Sequence, residues 1–349
     1  MRTKESLKVG VVGCGEIAQA HLRIWRKIDK LCVAAVCDAN ELRAEKTAKT
    51  WNIHAYYSDL GEMLEKESIL IVDICTPPQA HCPLIVQALE SNCHVIAEKP
   101  LTMTTEEAEK IAFAQKGSGT KISVVHNNIF APAMIKALSL IRKGDLGEVI
   151  NVDVRIVVPP SDPMLCNKDH WCHSSPGGVF GEMLAHPIYI LQAILGPLKV
   201  RSVHAKKVAS YPWVPFDALW VELDADKCSG TIYASYNSVQ DAWFIDIYGT
   251  KGLIKVNLVN ETLVQLKQRH ITTLNRGLDS LQQASQLLLS TAQNGVLKLS
   301  GRWVCGHEVC LRAFVQSVID DKAPPVTLEE ACDTIEVLEE ICKIIDQSG

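Results

Sequence analysis

The first 125 residues alternate short apolar runs with segments whose apolar residues recur every three or four positions. Leu7 to Val12 is an apolar run that leads into glycines, and Ile17, His21, Leu22, Trp25 and Ile28 then follow at helical spacing. Leu31 to Cys37 is a second run, Glu41 to Trp51 reads as a helix, and Ile69 to Cys75 is a further run that stops at Thr76-Pro77-Pro78. A helix carries on through Leu89, and the strand His94 to Ala97 follows. Thr104 and Glu107 form a capping-box pattern for a helix to about Gln115, before a last strand from Lys121 to Val125. Apolar strands separated by helices imply βαβ units and a mostly parallel sheet.

The pattern changes near residue 126. Pro132 to Lys143 reads as a helix stopped by Gly144. Strands then dominate: Val149 to Val158, Val200 to Ala209, Ala218 to Leu223, Gly230 to Tyr236, Trp243 to Tyr248 and Leu253 to Val259. Gly249 and Gly252 flank the turn between the last two. Consecutive strands with short turns imply an antiparallel or mixed sheet. Residues 159–176 read as a loop rich in Pro, Asp and Ser, and residues 277–296 as an amphipathic helical insertion. Glu308 to Asp320 and Leu328 to Asp346 read as closing helices. The expected fold class is α/β: a Rossmann dinucleotide-binding domain over 1–125, then a C-terminal α+β domain over 126–349 with a large, predominantly antiparallel open sheet.

Composition narrows the function. The 349 residues are 47% hydrophobic and 21% charged, with a formal net charge of -5, as in an ordinary globular protein of about two domains. No basic stripe interleaves with aromatics, so no nucleic-acid partner is expected. No run of about 18 apolar residues appears, so no membrane span is expected. The N-terminus runs directly into a core strand without a cleavable leader pattern, and a cytoplasmic protein is expected. The thirteen cysteines sit mostly in apolar runs, such as Cys32, Cys37, Cys75 and Cys342, which suits free thiols better than a disulfide framework. Two Cys/His clusters, Cys166/His170/Cys172/His173 and Cys305/His307/Cys310, lack the paired spacing of a structural zinc site, and no metal is expected.

After the first strand comes Gly13-Cys-Gly15-Glu16-Ile17-Ala18, a GxGxxA turn. Gly13 permits the tight turn, Gly15 lets a pyrophosphate approach the backbone, and Ala18 allows close helix–strand packing. Glu16 and Ile17 open the helix whose N-terminus faces the phosphates. Asp38 ends the second strand at the distance of a ribose-binding carboxylate, which favours NAD, with NADP still open. Arg43, a helical turn beyond, reads as a surface residue.

Two further constellations follow: Cys75-Thr76-Pro77-Pro78 with His81, and Glu98-Lys99-Pro100. In the second half, Gly177-Gly178-Val-Phe-Gly-Glu182-Met-Leu-Ala-His186 fits a GGxxxDxxxH pattern with Glu at the acidic position. The order of these motifs resembles the glucose–fructose oxidoreductase/inositol dehydrogenase (Gfo/Idh/MocA) family over nearly the whole chain. The resemblance implies Lys99, His186 and Glu182 as catalytic residues. It also implies cofactor contacts at Thr76, Pro77, His81, Glu98, Lys99 and Asn127, and substrate contacts at Lys99, Trp171, Glu182 and His186. Two departures stand out: Glu182 replaces the family's Asp, and Asn127-Asn128-Ile129-Phe130 lacks the family's arginines.

The chemistry of these residue types agrees with the resemblance. Alcohol oxidation needs a base that titrates near neutrality, which suits His186. Glu182 and His186 are four apart, so they share a helical face and can act together. Lys99 follows the C-terminal end of a strand, where open α/β sheets place ligands, and a cation there stabilises a developing alkoxide. Trp171 and its neighbours Lys168 and His170 suit a sugar face, or equally ordinary loop packing. The implied reaction is hydride transfer between NAD(P) and a secondary alcohol or ketone of a sugar, cyclitol or related polyol. A non-catalytic NAD(P)-binding sensor on the same fold is the alternative, and a reductase of an aromatic diol or tetrapyrrole is a third reading. The resemblance also implies a homodimer or homotetramer formed through the C-terminal sheet.

Overall fold

In the computed structural model, residues 6–208 and 211–348 are described. They form two compact units, Met1–Asn127 with His307–Glu336, and Asn128–Gly306 with Val337–Gly349. The sequence reading placed a single boundary at 125/126; the chain instead returns to the first unit at His307 and leaves it again at Glu336.

The first unit begins β1 (Leu7–Val12), α1 (Glu16–Trp25), β2 (Leu31–Cys37), α2 (Glu41–Trp51), β3 (Ala55–Tyr57) and α3 (Leu60–Lys66). It continues with β4 (Ile71–Ile74), α4 (His81–Glu90), β5 (His94–Ala97), α5 (Thr105–Ser118) and β6 (Ile122–Val124). The strands form one six-stranded parallel sheet in the order β3-β2-β1-β4-β5-β6, the doubly wound arrangement of a dinucleotide-binding fold. β4 and β6 are buried at every residue, because helices cover both faces of such a sheet. The expected capping box opens α5, with the Thr104 side chain accepting from the Glu107 amide. β3 and α3 were not expected; three residues of β3 are too few to carry a period.

The second unit contains α6 (Pro132–Arg142), β7 (Val149–Val157), α7 (Pro163–Cys166), α8 (Val179–Met183) and α9 (Ala185–Leu195). Then come β8 (Lys199–Lys206), β9 (Ala218–Asp224), β10 (Ser229–Ser235), β11 (Ala242–Gly249), β12 (Gly252–Asn257), β13 (Thr262–Lys267) and α10 (Thr273–Leu299). Its seven-stranded sheet runs β13-β12-β11-β7-β10-β9-β8, with only the β7–β10 pair parallel. Burial alternates along β9, β10 and β12, so one face is core and the other exposed. Gly230 lets α9 close on the core face, since a Cβ there would lie 2.9 Å from Leu191. β13 was not expected, and the expected strand end at Ala209 falls outside the described residues. Two last helices, α11 (Gly306–Ile319) and α12 (Leu328–Ser348), close the chain.

A buried ionic chain ties the first unit together. His21 of α1 places Nδ1 2.9 Å from Asp73 Oδ2 on β4 and Nε2 3.0 Å from Glu98 Oε1 just past β5. Trp25, one turn further along α1, donates its indole N–H to the same Asp73 oxygen at 2.6 Å. His307 of α11 adds its Nε2 at 3.8 Å from Glu98. Burial is the largest single influence and works against a charge on His21, but the charges and hydrogen bonds of Asp73 and Cys75 together outweigh it and raise the imidazole pKa well above its ordinary value. Burial likewise opposes the Glu98 charge, and the His21 hydrogen bond and charge overcome it and hold Glu98 below the usual carboxylate range.

The sign of each shift fixes a pH window. The His21 contribution to stability is complete below the ordinary imidazole pKa and is lost as pH rises through the raised folded value. The Glu98 contribution is present above the ordinary carboxylate pKa and is lost as pH falls through the lowered one. Asp73→Asn, which strips one charge from a fully buried pair, is expected to cost about 3 kcal/mol near pH 6. Urea denaturation across pH checks this: the deficit should narrow only as pH climbs through the raised His21 value, and a variant as stable as the parent would refute the account.

Candidate active site

The predicted site residues fall into two groups, one in each unit. In the first, Gly13 takes φ +89°, and a Cβ there would lie 2.7 Å from the Cys75 carbonyl. Only glycine permits both the turn and that approach between β1 and β4. Its amide donates to the Cys37 carbonyl at 2.7 Å. Ala18, fully buried, brings α1 down onto the sheet. Gly15 is the N-cap of α1 and meets nothing within 4 Å where its Cβ would stand. No side chain caps the helix, so the first-turn amides at Glu16 and Ile17 keep their donors for an anion.

Asp38 closes this turn from the end of β2. It accepts the Cys14 N–H at 2.9 Å and the Asn40 N–H at 2.8 Å, which fixes the carboxylate beside the glycines. Arg43, expected as a surface residue, reaches back to Asp38 at 3.5 Å. Thr76 Oγ1 is buried and has no hydrogen-bond partner. An open helix N-terminus, a held carboxylate and an orphaned hydroxyl together suit the pyrophosphate and ribose hydroxyls of a dinucleotide.

The Thr76-Pro77 turn is braced from behind. His81 is fully buried, with Nε2 2.9 Å from the Thr76 carbonyl and Nδ1 3.0 Å from that of Pro100. Burial holds its pKa down against these carbonyls. His81 thus stitches the turn after β4 to the turn after β5, where the sequence reading grouped it with the cofactor contacts. Glu98, grouped in the same way, has its carboxylate taken by His21 and by the Lys99 amide at 3.2 Å. Lys99 itself is half-buried and precedes a cis bond to Pro100. Asn127 opens a 3-10 turn, Asn127–Phe130, after β6.

In the second unit, His186 stands in the first turn of α9. Its Nδ1 lies 2.8 Å from the Tyr189 hydroxyl and 3.3 Å from Asn128 Nδ2. Trp243 of β11 packs edge-on against the imidazole, ring centroids 5.3 Å apart. The backbone N–H of Asn128 donates to the Tyr189 oxygen at 3.2 Å, which turns the phenol hydrogen towards His186. An amide nitrogen also only donates. Both contacts therefore make Nδ1 an acceptor and put the neutral ring's proton on Nε2, an assignment from the hydrogen-bond pattern. Tyr189, Asn128 and Trp243 were not among the expected site residues. Tyr189 was detectable as the residue one helical turn after His186; Trp243, more than fifty positions on, carries no local signal.

Glu182 does not share a helix with His186. It lies in α8, which ends at Met183, and Leu184 separates it from α9. Pro187 explains the break, since it has no N–H to return to the Met183 carbonyl. The Glu182 charge is felt at His170, Cys172 and the buried phenol of Tyr236, which places it towards the 159–176 loop. In that loop Trp171 opens a 3-10 turn and packs on the His170 ring at 5.4 Å.

Among the described residues, two groups bring metal-type donors within 4.8 Å of one another: His21/Glu98/His307 and His21/Asp73/Cys75. Both centre on His21, whose two ring nitrogens face Asp73 and Glu98. All thirteen cysteines are unpaired.

Comparison with known proteins agrees with the geometry. The model of an oxidoreductase family with an NAD-binding Rossmann fold (Gfo/Idh/MocA) matches residues 7–126. The model of that family's C-terminal alpha/beta domain matches residues 139–348. Inositol 2-dehydrogenase of Salmonella typhimurium (strain LT2) is 23% identical over 275 residues, covering 77% of this chain and 79% of its own. D-glucoside 3-dehydrogenase of Escherichia coli (strain K12) is 26% identical over 207 residues, 58% of each chain. The crystal structure of the WlbA dehydrogenase from Bordetella pertussis, in complex with NADH and UDP-GlcNAcA, superposes with a TM-score of 0.82 at 18% identity. It covers 100% of this chain and 98% of that one. Fold and turn define an NAD-binding oxidoreductase. The chain belongs to the Gfo/Idh/MocA family.

Gly13→Ala should lower NADH affinity tenfold or more, because the added methyl meets the Cys75 backbone and the φ is one that alanine rarely takes. Asp38→Ala should weaken NADH and narrow any preference for it over NADPH. Fluorescence titration with both cofactors measures each effect, and unchanged NADH binding in Gly13→Ala would contradict the turn's assignment.

Proposed function

We propose that this enzyme transfers a hydride between NAD and the secondary alcohol or ketone carbon of a sugar, cyclitol or related polyol. The observation that carries the reading is the His186–Tyr189–Asn128 arrangement, in which hydrogen bonds from two side chains orient the imidazole through Nδ1. The substrates in the names of the relatives, inositol and D-glucosides, support the polyol class. NAD, bound at the Gly13–Gly15 turn, supplies the hydride acceptor or donor. The first unit serves the cofactor and the second the substrate.

In the reducing direction His186 acts as an imidazolium: Nε2 gives its proton to the nascent alkoxide while Nδ1–H donates to the Tyr189 oxygen, which leaves a neutral ring. Oxidation needs the reverse: Nε2 takes the hydroxyl proton, and Nδ1 must then donate. The Tyr189 hydroxyl supports both states, because a phenol oxygen that donates to Nδ1 in one can accept from it in the other. Lys99 supplies the positive charge that steadies the substrate oxygen as it becomes anionic. Glu182 tunes the loop that carries His170 and Trp171 and serves as the third polar group of the site. Trp171 offers an apolar surface for a sugar ring.

The expected homo-oligomer fits the exposed sheet face, which presents Trp220, Phe244 and Tyr248. Light scattering of Phe244→Glu protein tests this: assembly through that face predicts a lower mass than the parent.

Lys99→Ala and His186→Ala should each lower kcat by about a hundredfold or more, in the range of lost proton-transfer groups. NADH binding should persist in both. The double variant should lose less than the product of the two effects, because the residues serve one step. Tyr189→Phe should lose about tenfold and shift the pH profile of kcat, since it withdraws only the partner of Nδ1. Normal turnover in Lys99→Ala, or firm NADH binding with no turnover on any sugar or cyclitol, would overturn the reading.

A further inference from the structure

The sheet of the second unit is closed along its β13 edge. Gln286 of α10 accepts the Gln265 N–H of β13 at 2.8 Å, and Gln282 and Gln286 both donate to the Gln265 carbonyl. The glutamines thus satisfy backbone groups that have no neighbouring strand. The core face is open at one end of β11. Register lines up Trp243 of β11, Ile156 of β7, Ala234 of β10 and Leu219 of β9 in one row across four strands. Ile156, Ala234 and Leu219 are fully buried. Along β11 the same face carries Ile245 and Ile247, which are buried as well. Trp243 shares their face by the two-residue period of a strand, yet it is only half-buried.

This opening in the core packing lies beside His186. The indole and the imidazole stand with centroids 5.3 Å apart and planes inclined at 68°. The Trp243 main chain is fixed on both sides: it pairs with Ile156, and its carbonyl accepts the Leu258 N–H at 2.9 Å. The indole is thus a rigid wall beside the imidazole. Carbon contacts form at about 4 Å, so a carbon whose hydroxyl bonds the imidazole comes within reach of the wall. An aromatic ring carries negative charge density on its faces and positive at its edge. The C–H groups of a pyranose or cyclitol are weakly positive, because each carbon bears oxygen, and they gather on the faces of the ring while most hydroxyls lie at its rim. Such a ring can bury a C–H face on the indole and keep its hydroxyls for polar partners. An open-chain polyol has the same groups but must freeze several rotatable bonds to present them together.

We propose that Trp243 is a substrate-binding residue that selects cyclic polyols, pyranosides and cyclitols alike, over open-chain ones. The inference rests on His186 as the proton-exchanging group of the proposed reaction, and it narrows the substrate class of that site. The indole holds the ring by its C–H face, and the hydroxyl of the reacting carbon turns to the imidazole beside it.

Fluorine NMR of the whole protein labelled with fluorotryptophan tests binding without turnover, in the NADH complex, where no alcohol is oxidised. The resonance missing from Trp243→Phe protein is that of Trp243. Myo-inositol and methyl α-D-glucopyranoside are the ring probes, and D-glucitol is the open-chain one. At least one ring probe should shift the Trp243 resonance at a concentration about tenfold or more below that needed for D-glucitol. With NAD in the oxidising direction, kcat/KM for that probe should exceed the D-glucitol value by about tenfold or more. Trp243→Leu keeps apolar volume and loses the aromatic face, and it should raise KM for the ring probe about tenfold while changing kcat less than about threefold. Trp243→Phe keeps an aromatic face and should hold KM within about threefold of the parent. NADH affinity should be unchanged in both, because the glycine turn belongs to the other unit. A Trp243 resonance unmoved by either ring probe would overturn the proposal even if the enzyme turns them over. So would an equal response to D-glucitol, or a stronger response to catechol, which would give the wall to a flat aromatic ring. A shift with the ring probes and no turnover would support the wall and overturn only the hydride-transfer reading.

Discussion

The first unit depends on one buried imidazole held between two carboxylates. His21 sits fully buried between two carboxylates, and as an imidazolium it offsets one of their two charges and donates a hydrogen bond to each. Four pieces of chain are fixed by that one requirement: α1 through His21 and Trp25, β4 through Asp73, the turn after β5 through Glu98, and α11 through His307. The anchored pieces are also those that carry the cofactor turn and Lys99. α1 offers its N-terminus to the phosphates, and Lys99 directly follows Glu98, whose carboxylate receives its amide. A buried ion pair is a poor source of stability when weighed against apolar packing, but it is intolerant of misregistration. Here that intolerance sets where helix and strand ends lie.

Much of this was legible in the sequence, and the reasons differ by element. β1, β2 and β5 fell at their expected bounds because buried parallel strands are unbroken apolar runs flanked by glycine or polar residues. Gly13, Gly15 and Asp38 were readable because each answers a local geometric demand of one turn. His81 and Glu98 were found but assigned outward, since a motif records that a residue matters and not which way its side chain points. The return of His307–Glu336 to the first unit left no trace at all. His307 was noticed only as part of a cysteine–histidine cluster, and its partner Glu98 lies more than two hundred positions away.

The second unit shows how one residue can hide such a partnership. Glu182 and His186 have the spacing of a helical pair, and Pro187 breaks the helix between them. The hydrogen-bond partner of His186 is Tyr189, whose hydroxyl is itself fixed by a backbone N–H. A buried phenol is well suited to hold an imidazole whose protonation must change, since it gives or takes a hydrogen bond without moving.

The glutamines along β13 have a meaning for the solution behaviour of the chain. A sheet edge is an open template, ready to accept any extended segment from a neighbour, and long antiparallel sheets are vulnerable there. Gln282 and Gln286 occupy the donor and acceptor that such a segment would use. At the opposite end β8 carries Lys199 and Lys206, whose like charges repel a second copy of the strand. The sheet is therefore terminated at seven strands by amides on one side and by charge on the other, which guards a large exposed β surface against fibre-like growth.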